Sequence, residues 1–254
     1  MCTLVLLRRP GHQWPLIVAA NRDEMNTRPW DGPGRWWDDR PEVMAGLDKL
    51  AGGTWLGVND TGVMAAILNR IGTLGPAPGK RSRGELVLEA LDHADAVDAA
   101  QALADLDGNA YRPFNMVVAD NRDAFWIRAD GRRVEAFPIA PGLHMISALD
   151  LDDRTSPRIA AYLDRFAAAQ TPQPDPAHSE GGDWADWAAL MADTGGNGPD
   201  GEETPAMCFL RPDGFGTVSA SLIALAAPSE TETGRVWRFA AGRPDQVAYS
   251  SVGG

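Results

Sequence analysis

Apolar positions along the chain come in short runs, cut by Gly, Pro, Asn and Asp. Cys2–Arg9 and Pro15–Asp23 flank a polar turn at Pro10–Gln13 and predict an antiparallel hairpin. Residues 27–39, rich in Trp, Pro and Arg, predict irregular loop. Thr54–Val58 and Val63–Leu68 predict a second hairpin across Asn59-Asp60-Thr61-Gly62. The spacing then becomes helical. Ser82-Arg83-Gly84-Glu85 has the form of a capping box, so a helix is expected from there to about Asp92. A second helix is expected from Ala94 to Leu106, stopped at Gly108.

Phe114–Ala119, Ala124–Arg128 and Val134–Phe137 predict a three-stranded meander, and His144–Ser147 adds a further strand. Ser156-Pro157 opens a helix with proline at its first position, whose apolar face is Ile159, Leu163 and Phe166. Residues 171–182 read as loop, Trp184, Trp187 and Met191 as a short helix, and 194–203 as a mobile stretch. Thr217–Ala226 and Arg235–Phe239 are the last strands. Hairpins dominate, so the predicted class is α+β, with helices packed on mostly antiparallel sheet layers. No repeat or boundary divides residues 1–254, which are expected to form one domain.

Charge and composition narrow the function classes. A formal net charge of −12 argues against nucleic acid or an anionic membrane as the main partner, because phosphate binding needs a basic surface. The first apolar run is too short for a signal peptide or a membrane span, so a cytoplasmic protein without an integral membrane segment is expected. With no secretory context, Cys2 and Cys208 are not expected to pair, and Cys208, within Ala206-Met207-Cys208-Phe209-Leu210, reads as a core thiol. The histidines are scattered without ligand spacing, and the glycines of 75–84 lack P-loop spacing. Neither a metal nor a cofactor is called for, and nothing sets the oligomeric state.

The candidate chemistry lies at the amino end. If Met1 is removed, Cys2 carries both a thiol, titrating near ~8.5, and a free α-amine, near ~7.7–8.0, so the nucleophile has a base beside it. The plainer reading, that Cys2 is only the residue after Met1, stays open on position alone. The first hairpin brings Asn21, Arg22 and Asp23 next to Cys2. There Arg22 is expected to lower the thiol pKa, and Asp23 to hold the amine. The same tripeptide recurs as Asn121-Arg122-Asp123, where it reads as a plain turn. Asn69, ending the second hairpin, is a candidate oxyanion donor, while Asn59 fits its turn. Trp30, Trp36, Trp37 and Trp55 suit either an apolar pocket or the core.

Cys2, AANRDE (19–24), GGTWLGVN (52–59), LNR (68–70), RGELV (83–87) and FNMVVAD (114–120), with looser matches at LDDRTSPR (151–158) and FGTVSASLIAL (215–225), together resemble the NRDE family of transport and Golgi organisation protein 2-like proteins. More distantly they resemble choloylglycine hydrolases and penicillin V acylases. That resemblance implies an αββα fold of the N-terminal-nucleophile hydrolase type. It implies Cys2 as nucleophile, Arg22 and Asp23 as its polar partners and Asn69 as oxyanion donor. Asn21, Trp55 and Asn59, near these residues in the sequence, are candidates for substrate contact. The implied activity is hydrolysis or acyl transfer at a non-peptide amide or thioester of a small-molecule acyl substrate. The rival is a non-catalytic carrier of haem or of lipid or acyl-CoA. Two positions depart from the family pattern: Ala148 and Val218 stand where many relatives have Asn and Arg, and neither donates a side-chain hydrogen bond.

Overall fold

A computed structural model describes residues 1–178, 181–197, 203–228 and 234–253. The chain opens with the hairpin β1 (Thr3–Arg8) and β2 (Leu16–Met25). A run of short strands follows: β3 (Trp30–Gly34), β4 (Val43–Asp48), β5 (Leu56–Asn59) and β6 (Met64–Asn69). Next come α1 (Gly84–Leu91) and α2 (Ala96–Ala104), then β7 (Phe114–Ala119), β8 (Ala124–Ala129), β9 (Val134–Pro138) and β10 (Gly142–Ile146). After α3 (Pro157–Ala168), β11 (Gln173–Pro174) pairs with β12 (Gly182–Asp183), and α4 (Ala185–Met191) follows. β13 (Gly196–Asn197) pairs with β14 (Glu203–Thr204), and β15 (Phe215–Leu225), β16 (Arg235–Ala240) and β17 (Ser250–Ser251) close the chain. Of the stretch expected to be mobile, 198–202 lies outside the described residues.

Two antiparallel sheets result, one in the order β10-β1-β2-β15-β16-β17 and one in the order β3-β4-β5-β6-β7-β8-β9. Alternation along each strand builds the layers. Leu4 and Leu6 of β1 face Met64, Ala66 and Leu68 of β6 in a core between the sheets. Val5 points the other way, toward Ile159, Tyr162 and Phe166 of α3 and Trp187 of α4. On the outer face of the second sheet, Ala65, Met116 and Val118 pack against Leu86, Val87 and Leu91 of α1 and Ala99 and Leu103 of α2. The order is therefore helix, sheet, sheet, helix, as the sequence resemblance implies.

Three local differences from the sequence reading have physical causes. The segment expected to be irregular contains β3, which tolerates Pro33 because it is an edge strand. Its partner β4, interrupted by Gly46, carries no clear strand signature. The expected capping box does not form: Arg83 is the N-cap of α1 and no side chain caps that end, because Glu85 ion-pairs with Arg81 (2.7 Å) and accepts from Tyr111 (3.1 Å). Asp95, in contrast, caps α2 by accepting from the N–H of Asp98 (2.9 Å).

Candidate active site

Pairing of β1 with β2 sets Thr3 opposite Asn21, so Cys2 lies beside Arg22 and Asp23. The backbone N–H of Asp23 donates to Cys2 Sγ (3.3 Å), and the Met1 ammonium meets Asp23 Oδ2 at 2.9 Å. The Asp23 side chain is fully buried. It also accepts from Thr217 Oγ1 (2.8 Å) and from Arg158 Nη1 (3.2 Å). Thr217 reaches it because β15 has a bulge between Thr217 and Ser219 opposite β2, which re-aims the side chains there.

Arg22 is buried, and its guanidinium carbon sits 3.9 Å from the Trp55 ring centroid. Its Nη2 is 3.8 Å from Asp48. Trp55 packs closely against Gly46, where an added Cβ would come within 2.3 Å of the indole, and meets Trp30 edge-on at 5.9 Å. Trp36 and Trp37 are elsewhere: Trp36 is exposed and Trp37 packs on the helix-side core. The contact between Gly53 and Gly84 is also close, since a Cβ on Gly53 would meet the Gly84 backbone at 2.6 Å. That approach lets Thr54 N donate to Gly84 O (3.1 Å) and seats the start of α1 over the site.

These groups line a cavity of about 400 Å³ that takes in Cys2, Arg22, Asp23, Trp55, Asn69 and Arg83. Behind Cys2 a void of about 20 Å³, lined by Leu4, Leu56, Ala66 and Leu68, has room for a group the size of a water. Burial pushes the Cys2 thiol above its ordinary value, and the Asp23 carboxylate adds to this. The Met1 ammonium, the Asp23 N–H and Arg22 pull downward without overcoming it. Arg22 thus acts on the thiol in the expected direction, but its charge is shared with Asp48 and the Trp55 face, and desolvation dominates the net result.

Asn69 lies at the cavity wall, half-buried, and its amide bonds no described residue. Asn21 donates from its amide to the carbonyls of Met191 (3.0 Å) and Met207 (2.9 Å), so those donors tie β2 to the chain segments beneath the sheet. Asn59 is directed away from the cavity, correcting its reading as a substrate contact. Its amide donates to Leu91 O (2.9 Å) and His93 O (2.8 Å), and its Oδ1 accepts from Thr61 and Val63 N (both 2.8 Å). Cys208 is buried at a separate place, donating to Asp245 Oδ1 (3.1 Å), with burial raising its thiol to about 11.

Four residues that complete the site have no assigned role in the sequence reading. Arg158, from the first turn of α3, donates to Thr3 Oγ1 (2.7 Å), to Asp23 and to the Met1 carbonyl. Ser147 Oγ donates to Cys2 O (2.8 Å). Fully buried Asn115 fixes the loop that carries Ser147, donating to Ser147 O (2.9 Å) and Leu149 O (2.6 Å) while accepting from Arg70 (2.7 Å). Thr217 is the fourth. A signal exists for Asn115, a lone amide in an otherwise apolar strand, since a buried polar group needs partners.

The profile of the family described as Transport and Golgi organisation 2 matches residues 1–228. The Homo sapiens Transport and Golgi organization protein 2 homolog is 36% identical over 146 residues, 52% of this chain and 50% of that protein. The Mus musculus homolog is 37% identical over 109 residues, 41% of this chain and 38% of that protein. The chain thus spans half or less of the length of these curated relatives. Among solved structures, a Caenorhabditis elegans N-acylethanolamine-hydrolyzing acid amidase ortholog superposes with a TM-score of 0.56 at 12% identity, covering 87% of this chain and 92% of that one. A variant of the conjugated bile acid hydrolase from Clostridium perfringens gives a TM-score of 0.52 at 11% identity, covering 99% and 96%. At such identities the likeness establishes the fold, that of N-terminal-nucleophile hydrolases. Among the described residues no helix is long and apolar enough to cross a membrane.

Proposed function

From the premise that this chain belongs to the Transport and Golgi organisation 2 family, we propose that Cys2, freed of Met1, is the nucleophile of a hydrolase or acyltransferase acting on a non-peptide amide or thioester. The observation that carries this reading is the placement of Cys2 Sγ in the cavity, 3.3 Å from the Asp23 N–H, with the terminal ammonium 2.9 Å from the Asp23 carboxylate. Removing Met1 puts the α-amine on Cys2 itself.

A thiol held protonated by burial suits this arrangement. The neutral amine takes the Sγ proton as sulfur bonds the acyl carbon, and the carbonyl π electrons move to oxygen. The Asn69 amide donates to that oxyanion. On collapse the leaving amine or thiol departs with the proton from the ammonium, leaving a thioester on Cys2. Water, deprotonated by the same amine, then cleaves the thioester, or a second nucleophile accepts the acyl group. Asp23 orients the amine, and Arg158 and Thr217 hold Asp23.

Intact-protein mass spectrometry of protein from cells is expected to find Met1 absent, and an electrophilic acyl probe is expected to label Cys2 and not Cys208. Retention of Met1 in the active protein overturns the mechanism. Asn69→Ala is expected to slow acylation by about 10². A carrier reading, for haem, lipid or acyl-CoA, draws on Ala148 and Val218, which are buried and offer no side-chain donors. Saturable binding of haem or acyl-CoA that is equal in Cys2→Ser and the unaltered protein, without probe turnover, selects the carrier.

A further inference from the structure

The chain has a formal net charge of −12, so cations left without carboxylate partners stand apart. Lys80, Arg83 and Arg112 all line the Cys2 cavity, and all bond only neutral acceptors. Lys80 Nζ donates to Asn109 O (2.5 Å), and Arg83 Nη1 donates to Thr73 Oγ1 (3.0 Å) and Pro113 O (3.1 Å). Arg112 donates to Gly72 O (2.8 Å) and Leu74 O (2.5 Å), which shapes the loop between β6 and α1. Among the described residues no carboxylate oxygen lies within 4.0 Å of any of the three. Arg81, their neighbour, does have one, pairing with Glu85 at 2.7 Å. Arg22, only 6% exposed, lines the same cavity, and its Nη1 has no hydrogen-bond partner among the described residues.

The first turn of α1 borders the cavity through Ser82, Arg83 and Gly84, and no side chain caps it. Its unmatched N–H groups add to the positive field. Burial, followed by the repulsion of Arg112, brings Arg83 down to about 10, a cation still charged at neutral pH, which Glu24 of the same cavity offsets only through space and not by a contact ion pair. Arg112 is committed to its loop, which leaves Lys80 and Arg83 as the groups free to take a ligand.

Resting on the reading of Cys2 as an acyl-accepting nucleophile, we propose that the substrate carries an anionic oxygen group, a carboxylate or a phosphate, that ion-pairs with Arg83 and Lys80 while its acyl carbonyl meets Cys2 Sγ. The anion fixes the substrate's register in the cavity. A guanidinium fork partly shielded from water, with an exposed ammonium beside it, binds such a group more strongly than it binds a neutral amide.

The test uses Met1-free protein and butanoyl thioesters of three thiols: neutral N-acetylcysteamine, 3-mercaptopropionate and 4′-phosphopantetheine. The rate of Cys2 acylation is read by intact mass. At low salt one or both anionic thioesters are expected to react at least about tenfold faster than the neutral one, with the preference shrinking in 0.5 M NaCl (roughly 4 Å Debye length). The two anionic arms tell carboxylate from phosphate. In Lys80→Gln/Arg83→Gln the anionic-to-neutral ratio is expected to fall to about one. Because Arg83 also holds Thr73 and Pro113, exposed Lys80→Gln is measured alone and is expected to lower the ratio in the same direction. A ratio near one in the unaltered protein, or a ratio unchanged by these variants, overturns the proposal. If no thioester acylates Cys2, the catalytic reading has failed, and the anion site is read separately on Cys2→Ala. Calorimetry then compares S-butyl-3-mercaptopropionate with its methyl ester. Preference for the acid that is lost with Lys80→Gln supports the site, and equal binding overturns it.

Discussion

Asn21-Arg22-Asp23 and Asn121-Arg122-Asp123 are the same three residues in the same order, a hundred positions apart. The first copy ends the inner strand β2, with all three residues buried at 2%, 6% and 2% exposure. The second is a turn between β7 and β8, held from outside by Asp120, whose Oδ1 accepts from Arg122 N (2.7 Å) and Asp123 N (2.8 Å). Arg22 stacks on Trp55, whereas Arg122, 61% exposed, reaches only Asp120 at 3.6 Å. Asp23 gathers an ammonium, a guanidinium and a hydroxyl, while Asp123 meets one arginine at the surface. The tripeptide supplies charges and donors. Strand pairing, the bulge opposite and the burial that follows decide whether they make a site or a turn.

The largest break in the comparison is expected from Asp23→Asn set beside Asp123→Asn. Losing the Asp23 charge leaves Arg158 and the terminal ammonium facing a buried amide. Removing one partner of a buried pair costs about 3–5 kcal/mol, read as a lower urea midpoint, while Asp123→Asn is expected within about 1 kcal/mol of the unaltered protein. The same substitution sharpens the thiol argument. Asp23 is the second cause of the raised Cys2 pKa, so its loss lets the thiol fall, though burial still holds it up. Iodoacetamide is expected to alkylate Cys2 faster at pH 8 in Asp23→Asn than in Asp123→Asn. The sign for stability follows: a folded-state thiol pKa above the unfolded value adds stability that is full below ~8.5 and lost as pH rises through the folded value. Urea midpoints at pH 7 and pH 10 are expected to converge more in Asp23→Asn than in the unaltered protein.

Arg22→Lys against Arg122→Lys comes next in size. A lysine keeps the charge but not the flat stack on Trp55, so a cost of about 1–2 kcal/mol and a change in tryptophan emission are expected. At position 122 the exchange is expected within about 0.5 kcal/mol, with emission unchanged.

Much of this contrast was legible before the structure. Short apolar runs cut by turn residues in β1, β2, β5 and β6 gave the hairpins, and the first hairpin alone brought Cys2 to Arg22 and Asp23. Long-range partners were less legible, because nothing local marks them: Arg158, Ser147 and Thr217 reach the amino end only after α3 packs and β15 docks on β2. Asn59 holds its turn as read from the sequence, bonding Thr61 and Val63. Only its candidacy for substrate contact is corrected, because a strand-ending asparagine looks the same in sequence whether it faces a cavity or clamps α1 from the far end of β5. Arg22 was half-legible. Its position was right, but the cost of burying the thiol, which outweighs one shared guanidinium, depends on the layers above it. β3 escaped detection because an edge strand can carry Pro33 and Gly32 without losing its pairing, and β4 because Gly46 interrupts its apolar run.

The smallest expected effect tests whether burial, rather than the identity of the residues, separates the two copies. Asp123 pairs with Arg8 at 3.2 Å, with side chains 45% and 16% exposed. Arg8 has other acceptors, donating to Arg122 O (2.6 Å) and Ile139 O (3.0 Å), so Asp123→Ala leaves it anchored. A half-exposed pair of this kind is worth about 0–1 kcal/mol and is screened by salt. Asp123→Ala is therefore expected to shift the urea midpoint slightly at low ionic strength and not at all in 0.5 M NaCl (roughly 4 Å Debye length). Arg8→Ala, which frees two carbonyls as well, is expected to cost more at both. Should Asp123→Ala instead match Asp23→Asn in size, and keep that size in salt, the second copy would be a buried charge network too, and the distinction between site and turn would have to rest on something other than solvent.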